Sequence, residues 1–132
     1  VLRYFNVYGP REPLKGQYAP VIGLFKRQIA EGGSMTIVGD GTQRRDFTYI
    51  DDVVDANMLA STLNFNNRFR IWNVGSGKNY SIDEVADMIG GKKVYVPSRP
   101  AEVKTTLADI SDTVNELGWS PKHELIKTIN SY

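Results

Sequence analysis

Phe47-Thr48-Tyr49-Ile50-Asp51-Asp52-Val53-Val54-Asp55-Ala56-Asn57-Met58-Leu59-Ala60 changes its period part-way along. The first four residues alternate as a strand does, and beyond the aspartates the apolar residues follow helical spacing. Asp51 or Asp52 is placed to cap that helix, since an aspartate oxygen accepts an orphan N–H of a first turn. Val54, Ala56, Met58, Leu59, Ala60 and Leu63 are its expected apolar residues, and it runs out at Asn64-Phe65-Asn66-Asn67. Arg70-Ile71-Trp72-Asn73-Val74 then reads as a strand closed by Gly75-Ser76-Gly77. Strand, helix and strand in succession are the unit of an α/β fold.

The same alternation continues on both sides. Towards the N-terminus, Thr36-Ile37-Val38 is a short β-branched strand. A helix is expected from about Pro20 to Ala30, with Val21, Leu24, Phe25 and Ile29 on one stripe and Glu31-Gly32-Gly33 as its stop. Val1-Leu2-Arg3-Tyr4-Phe5-Asn6-Val7-Tyr8 reads as one buried strand broken by Gly9-Pro10, followed by a polar loop from Arg11 to Gly16. Towards the C-terminus, Ser81-Ile82-Asp83-Glu84 is a capping-box pattern, and its helix buries Ile82, Val85, Ala86 and Ile89 before Gly90-Gly91. Lys93-Val94-Tyr95-Val96 is a strand, and Pro97-Ser98-Arg99-Pro100 forces a loop. Asp109 can cap a short helix bearing Ile110, Val114 and Leu117, stopped by Gly118. Trp119-Ser120-Pro121 leads to a last helix with Leu125, Ile126 and Ile129. The class is α/β.

The 132 residues suffice for one compact domain, taken as a single unit over residues 1–132. A net charge of +1 with basic residues balanced by acids argues against nucleic acid and against an acidic membrane surface as partners. No apolar run approaches the roughly 20 residues that span a bilayer. The absence of cysteine excludes disulfides and thiolate metal sites and suits a reducing cytoplasm. Acids are scattered rather than clustered at ligand spacing, so no metal site is expected. His123, the only histidine, has no nearby ligand partner in the sequence and reads as a surface residue. A strand at Val1, with neither initiator methionine nor leader, suggests a piece of a longer chain, a trimmed N-terminus being the alternative.

Gly39-Asp40-Gly41-Thr42-Gln43-Arg44-Arg45-Asp46-Phe47 is the segment richest in chemistry. Two glycines make a tight turn beside two arginines, so backbone N–H groups and a guanidinium can converge on one anion. A guanidinium forks onto phosphate oxygens as an ammonium cannot. The segment reads as a holder of a phosphorylated small molecule. Arg45 is the candidate, with an ion pair to Asp46 or Asp40 as the alternative. Arg44 is expected to point the other way, because strand neighbours do.

Several stretches together resemble the extended short-chain dehydrogenases that act on nucleotide sugars, the epimerases and dehydratases. These are Arg3-Tyr4-Phe5-Asn6-Val7-Tyr8-Gly9-Pro10-Arg11, Gly16-Gln17-Tyr18-Ala19-Pro20-Val21-Ile22, Gly39-Asp40-Gly41, Arg45-Asp46-Phe47, Asp51-Asp52-Val53-Val54, Asn73-Val74-Gly75-Ser76-Gly77, Arg99-Pro100-Ala101-Glu102-Val103, Ala108-Asp109-Ile110-Ser111 and Leu117-Gly118-Trp119-Ser120-Pro121. They cover nearly the whole chain in order. Tyr4-Phe5-Asn6 and the loop at Gln17 to Ile22 are most similar to UDP-hexose and UDP-N-acetylhexosamine 4-epimerases. The family's Gly-x-x-Gly-x-x-Gly turn is absent, and none of Tyr4, Tyr8, Tyr18 or Tyr80 has a lysine four residues on. The resemblance therefore implies the C-terminal, substrate-binding part of a Rossmann-type enzyme: its last parallel strands and a small subdomain, without the NAD-binding half. It implies NAD as cofactor, a UDP-sugar as substrate, a homodimer formed through the other half, and exposed apolar surface on the strands near residues 2–7 and 71–74. A nucleotide-sugar 4,6-dehydratase or decarboxylase, or a stand-alone nucleotide-sugar-binding module, are the rival readings.

The resemblance also assigns residues. Asn6 matches a donor to the diphosphate, with a turn-capping asparagine before Gly9-Pro10 as the alternative. Phe5 matches a wall beside the nicotinamide, and alone is an ordinary core aromatic. The backbone of Ala19, Pro20 and Val21 matches the loop along uracil and ribose, or a plain helix start, with Gly23 where a proline is usual. Arg45 and Arg99 match two phosphate ligands. Glu102 matches an acid that accepts from a ribose hydroxyl, with Ala101 and Glu102 standing where glycine and aspartate are usual. Val38 stands where many relatives carry a stacking aromatic. No catalytic residue is expected in the chain.

Overall fold

Short strands joined in mostly parallel pairs organise the chain, and helices between them supply the cover that parallel ladders need. The structure is a computed structural model that describes residues 1–16, 19–64, 69–98, 100 and 102–132. Among them, β1 (Leu2–Tyr4) runs parallel to β6 (Trp72–Val74), and β2 (Val7–Tyr8) parallel to β5 (Thr48–Tyr49). β3 (Met35–Val38) runs parallel to β8 (Lys93–Val96), while β4 (Arg44–Asp46) is antiparallel to β7 (Asn79–Ser81). Helices α1 (Val21–Ala30), α2 (Ile50–Thr62), α3 (Ile82–Ile89) and α4 (Leu125–Thr128) lie between and after them, with a π-helical turn over Thr113–Leu117. The expected alternation of strand and helix is present. None of the helices among the described residues is long and apolar enough to cross a membrane.

Two apolar cores result. One gathers Tyr8, Ile22, Phe25, Met35, Ile37, Val85, Ala86 and Ile129. The other gathers Val53, Ala56, Trp72, Val74, Leu117 and Trp119. The first strand differs from the single run expected, because it breaks at Phe5-Asn6 into β1 and β2. Asn6 has φ 25°, a region asparagine tolerates better than most residues. That kink moves the chain from pairing with β6 to pairing with β5.

Helix α2 corrects two expectations. Its N-cap residue, Tyr49, makes no side-chain cap bond, and neither aspartate caps the helix. Asp51 is exposed, and Asp52 is buried with its carboxylate turned to the C-terminal segment. There it accepts from the Lys122 and His123 N–H groups, each at 3.1 Å, and pairs with His123 Nδ1 at 2.9 Å. His123 is accordingly half-buried rather than a surface residue, with its ring 4.6 Å from that of Tyr49. The buried stripe of α2 is Val53 and Ala56 with Ala60 beside them, whereas Val54 and Met58 are 51% and 63% exposed. Small residues face inward because Trp72 and Trp119 already fill that core.

Helix α3 matches its pattern. Ser81 Oγ accepts the Glu84 N–H at 3.0 Å, and Glu84 Oε2 accepts the Ser81 N–H at 2.6 Å. The Ser81 N–H is the main cause holding the Glu84 carboxyl below its ordinary range. Asp109 accepts from both the N–H and hydroxyl of Ser111 at the next helical turn, and Gly118 ends it with φ 70°. Of the stretches expected to expose apolar surface, residues 2–7 leave Tyr4 46% exposed and residues 71–74 leave Ile71 43% exposed, while Trp72 and Val74 are covered by this chain. Phe65, Asn66 and Asn67, expected beyond α2, lie outside the described residues.

Ser81→Ala removes one half of the capping box and is expected to lower stability by about 1 kcal/mol in urea denaturation. Because the folded Glu84 pKa is depressed, its contribution is full above its ordinary value of 4.5 and fades as pH falls through the lower folded value. Ser81→Ala keeps the Ser81 N–H that chiefly holds Glu84 low, so wild type and variant are expected to lose this contribution alike in acid.

Candidate functional site

Segments from several distant parts of the chain close around a cavity of about 400 Å³. The kink before β2 contributes Asn6, the start of α1 contributes Ala19, Pro20 and Val21, β4 contributes Arg45, and the segment after β8 contributes Glu102. Six of the residues singled out in the sequence thus line one space. Arg99 and Ala101 lie outside the described residues, as do Gln17 and Tyr18. Phe5 does not line the cavity: it is half-buried, and its N–H donates to the Val74 carbonyl at 3.0 Å.

Strand β4 sets the direction of its three side chains by alternation. Arg44 points away from the cavity, with Nε 2.9 Å from Asn79 Oδ1 and Nη1 3.1 Å from Glu84 Oε2. Arg45 points in. Its Nη1 donates to the Arg44 carbonyl at 2.9 Å, and its Nη2 lies 3.7 Å from Glu102 Oε1. The latter distance is an ion pair beyond hydrogen-bond reach. The guanidinium side chain is 17% exposed, so its charge acts through little water.

Neither Asp46 nor Asp40 takes the Arg45 charge. Asp40 accepts from the Thr42 hydroxyl at 2.7 Å and its N–H at 3.0 Å, and the hydroxyl bond chiefly holds its carboxyl low. Asp46 is fully buried. Its Oδ1 accepts from the Ser76 N–H and hydroxyl, both at 2.7 Å, and its Oδ2 accepts from the Gly77 N–H at 3.0 Å and the Ala108 N–H at 3.1 Å. Gly75 is required beside it, since a Cβ there would stand 2.2 Å from the Ala108 Cβ.

The Asn6 amide is engaged with protein. Its Nδ2 donates to the Asp46 carbonyl at 2.7 Å and reaches Thr106 Oγ1 at 3.4 Å. This fixes the kink at the cavity edge. The helix start opposite has Pro20 as its N-cap residue, without a side-chain acceptor. Its first-turn N–H groups and the positive end of the helix dipole therefore add to the Arg45 field.

Several lining residues escaped the sequence reading. Gln43 donates from Nε2 to the Val38 carbonyl at 2.9 Å and so ties the glycine turn to β3. Val38 lines the cavity where no ring is available, but Tyr8 and Phe47 also line it, edge to face at 6.5 Å. Burial pushes the Tyr8 phenol up to about 12, so it stays protonated. Nothing in local spacing marks these residues, because they are brought together by pairings between distant segments.

Residues 1–75 match the NAD dependent epimerase/dehydratase family. The UDP-glucuronate 4-epimerase of Thermodesulfobacterium geofontis is 40% identical over 129 residues, covering 92% of this chain and 38% of that protein. The UDP-N-acetyl-alpha-D-glucosaminuronate decarboxylase of Bacillus cytotoxicus is 42% identical over 103 residues, covering 74% of this chain and 31% of that protein. Among solved structures, the UDP-glucuronic acid 4-epimerase of Bacillus cereus, in complex with UDP-glucuronic acid and NAD, superposes with a TM-score of 0.86 at 35% identity. That superposition covers 97% of this chain and 41% of the other. The chain thus spans about two fifths or less of the length of these relatives.

Asp46→Asn replaces an acceptor of four donors by a group with one acceptor oxygen and two donors of its own. It is expected to cost more than about 2 kcal/mol in urea denaturation, because buried donors are left unpaired. Asp40→Asn, on an exposed turn, is expected to change stability by less than about 0.5 kcal/mol.

Proposed function

The chain belongs to the NAD dependent epimerase/dehydratase family, and from that membership we propose that it is the nucleotide-sugar-binding part of an NAD-dependent 4-epimerase acting on UDP-hexose or UDP-N-acetylhexosamine. The observation that carries this reading is the convergence of Arg45, Glu102 and the start of α1 on one cavity. Arg45 would fork onto the diphosphate, aided by the first-turn N–H groups of α1. The backbone at Ala19, Pro20 and Val21 would lie along uracil and ribose, and Glu102 would accept from a ribose hydroxyl. Arg99 is the second phosphate ligand of this reading. Asn6 serves it first by holding the kink; one amide N–H is on the Asp46 carbonyl, and the second, 3.4 Å from Thr106 Oγ1, is the one left for the diphosphate.

The described residues do not fit a dinucleotide. The turn Gly75-Ser76-Gly77 after β6 spends the Ser76 and Gly77 N–H groups on Asp46, and Phe5 faces no part of the cavity lining. In this reading NAD is held by another part of the enzyme, and no step through it is assigned here. The chain's own task is to bind and orient. Grip on the remote nucleotide would place the sugar's reacting carbon, which converts binding energy into alignment. With no tyrosine–lysine pair at the family spacing, the chain by itself is expected not to catalyse epimerisation.

A nucleotide-sugar decarboxylase is the second reading, favoured by the decarboxylase among its relatives. It uses the same cavity for the same diphosphate.

Titration with UDP-glucose, followed by NMR, tests the proposal. Binding is expected to be weak, in the millimolar range, and Arg45→Gln is expected to weaken it about tenfold or more, for the loss of roughly 1.5–3 kcal/mol. Arg45→Lys should not restore it, since an ammonium does not fork. Unchanged affinity in Arg45→Gln would overturn the phosphate assignment, and micromolar binding would favour a stand-alone binding module.

A further inference from the structure

The loop that precedes α1 is anchored by a group of side chains outside the cavity. Glu12 reaches from that loop to the first turn of the helix and packs against Gly23, where an added Cβ would come within 3.1 Å of its Cγ and Cδ. The Gly23 N–H favours the ionised carboxylate. Tyr132 closes the arrangement from the C-terminal segment: its hydroxyl donates to Glu12 Oε1 at 2.8 Å. Lys26 Nζ stands 3.2 Å from the centre of the Tyr132 ring. The same ring lies 6.4 Å from both Tyr8 and Tyr49, and Tyr8 lines the cavity.

This arrangement is costly as pure packing. Burial raises the Glu12 carboxyl above its ordinary value and lowers the Lys26 ammonium. Glu12 Oε2 is buried with no hydrogen-bond partner. A buried oxygen left unpaired asks for a reason beyond stability. The reason offered by the fold is position. Pro20 gives α1 no side-chain cap, so nothing within the helix fixes where the chain enters it. Glu12 does so from outside, and glycine at position 23 leaves the room for it.

We propose that Glu12, Gly23 and Tyr132 form a clasp that positions the cavity wall made by Ala19, Pro20 and Val21, and thereby sets the affinity for a nucleoside diphosphate sugar. The proposal rests on the reading of the cavity given above. None of the three lines the cavity, so they are positioning residues.

The test measures UDP-glucose affinity, thermal midpoint, and the amide NMR signals of Ala19 and Val21 in the 132-residue chain. Tyr132→Phe keeps the ring and removes the donor; Gly23→Ala crowds Glu12. Both are expected to weaken UDP-glucose binding about threefold to tenfold and to shift the two amide signals. Gly23→Ala should leave the midpoint unchanged or higher, because alanine is the better helix former. A purely structural role would instead move affinity and midpoint together. Glu12→Gln keeps an acceptor for Tyr132 and is expected to retain wild-type affinity. Glu12→Ala loses it, and adding Gly23→Ala to Glu12→Ala should then cost less than Gly23→Ala alone. Unchanged affinity and unchanged amide signals in Tyr132→Phe and Gly23→Ala overturn the clasp while leaving the cavity's assignment intact. Failure of the wild-type chain to bind UDP-glucose overturns that assignment, and the amide signals then decide by themselves whether the clasp holds the wall.

Discussion

One buried carboxylate determines how the parts of this chain meet. Asp46 ends β4, and its two oxygens collect donors from the turn after β6 and from Ala108. Its own carbonyl takes the Asn6 amide. Three segments that are remote in sequence are thus bound to one residue. A carboxylate in this environment is tolerable because each oxygen is paired twice, so the desolvation cost is offset by charge-assisted bonds. Gly75 follows from the same constraint, since any side chain there would collide with Ala108. Arg45 depends on it too. With Asp46 locked inward, alternation leaves its neighbour directed at the cavity, and no carboxylate of the same strand neutralises it.

The two cores meet through strand β2, which is only two residues long. Val7 packs against the core of Val53, Trp72 and Trp119, while Tyr8 sits in the core of Phe25, Ile37 and Ile129. Successive strand residues point to opposite sides, so two residues suffice to serve both. The cavity lies at this junction, beside Asn6 and Tyr8. Its walls come from segments as far apart in sequence as residues 6 and 102.

Much of this was legible in the sequence where the signal is local. The Ser81 and Glu84 capping box, the glycine stops and the order of strands and helices all rest on neighbours within a turn or two. The errors have a common cause. Asp52 fits a helix cap by spacing, but its carboxylate serves Lys122 and His123 some 70 residues on. Of the apolar residues expected along α2, Ala56 and Ala60 turn inward, but Val54 and Met58 do not, since Val53 takes the inner place beside two tryptophans from elsewhere. His123 lacked a partner only because the partner is distant. The alternative of a surface ion pair between Arg45 and Asp46 fails because Asp46 is buried on remote backbone donors, which leave no trace in spacing. That Asn6, Arg45 and Glu102 line one cavity is anticipated by the resemblance and not by periodicity, which says nothing of how residues 6, 45 and 102 come together, and Phe5 stands outside that lining.

The chemistry of the cavity follows from what its charges lack. Arg45 is mostly buried, and its nearest carboxylate, Glu102, stands too far for a hydrogen bond. The start of α1, which has no side-chain cap, adds the positive end of the helix dipole. A pocket of this kind favours an anion that can bring several oxygens at once, and a diphosphate does so with one molecule. An isolated carboxylate would satisfy the guanidinium and leave the helix start unserved. The apolar remainder of the lining, with Val38, Phe47 and Val21, suits the flat face of a base better than a second charge. Under the proposed function, a buried charge beside an apolar lining would suit a nucleotide better than a simple phosphate, and that lining is set by which faces of β3, β4 and α1 are left open.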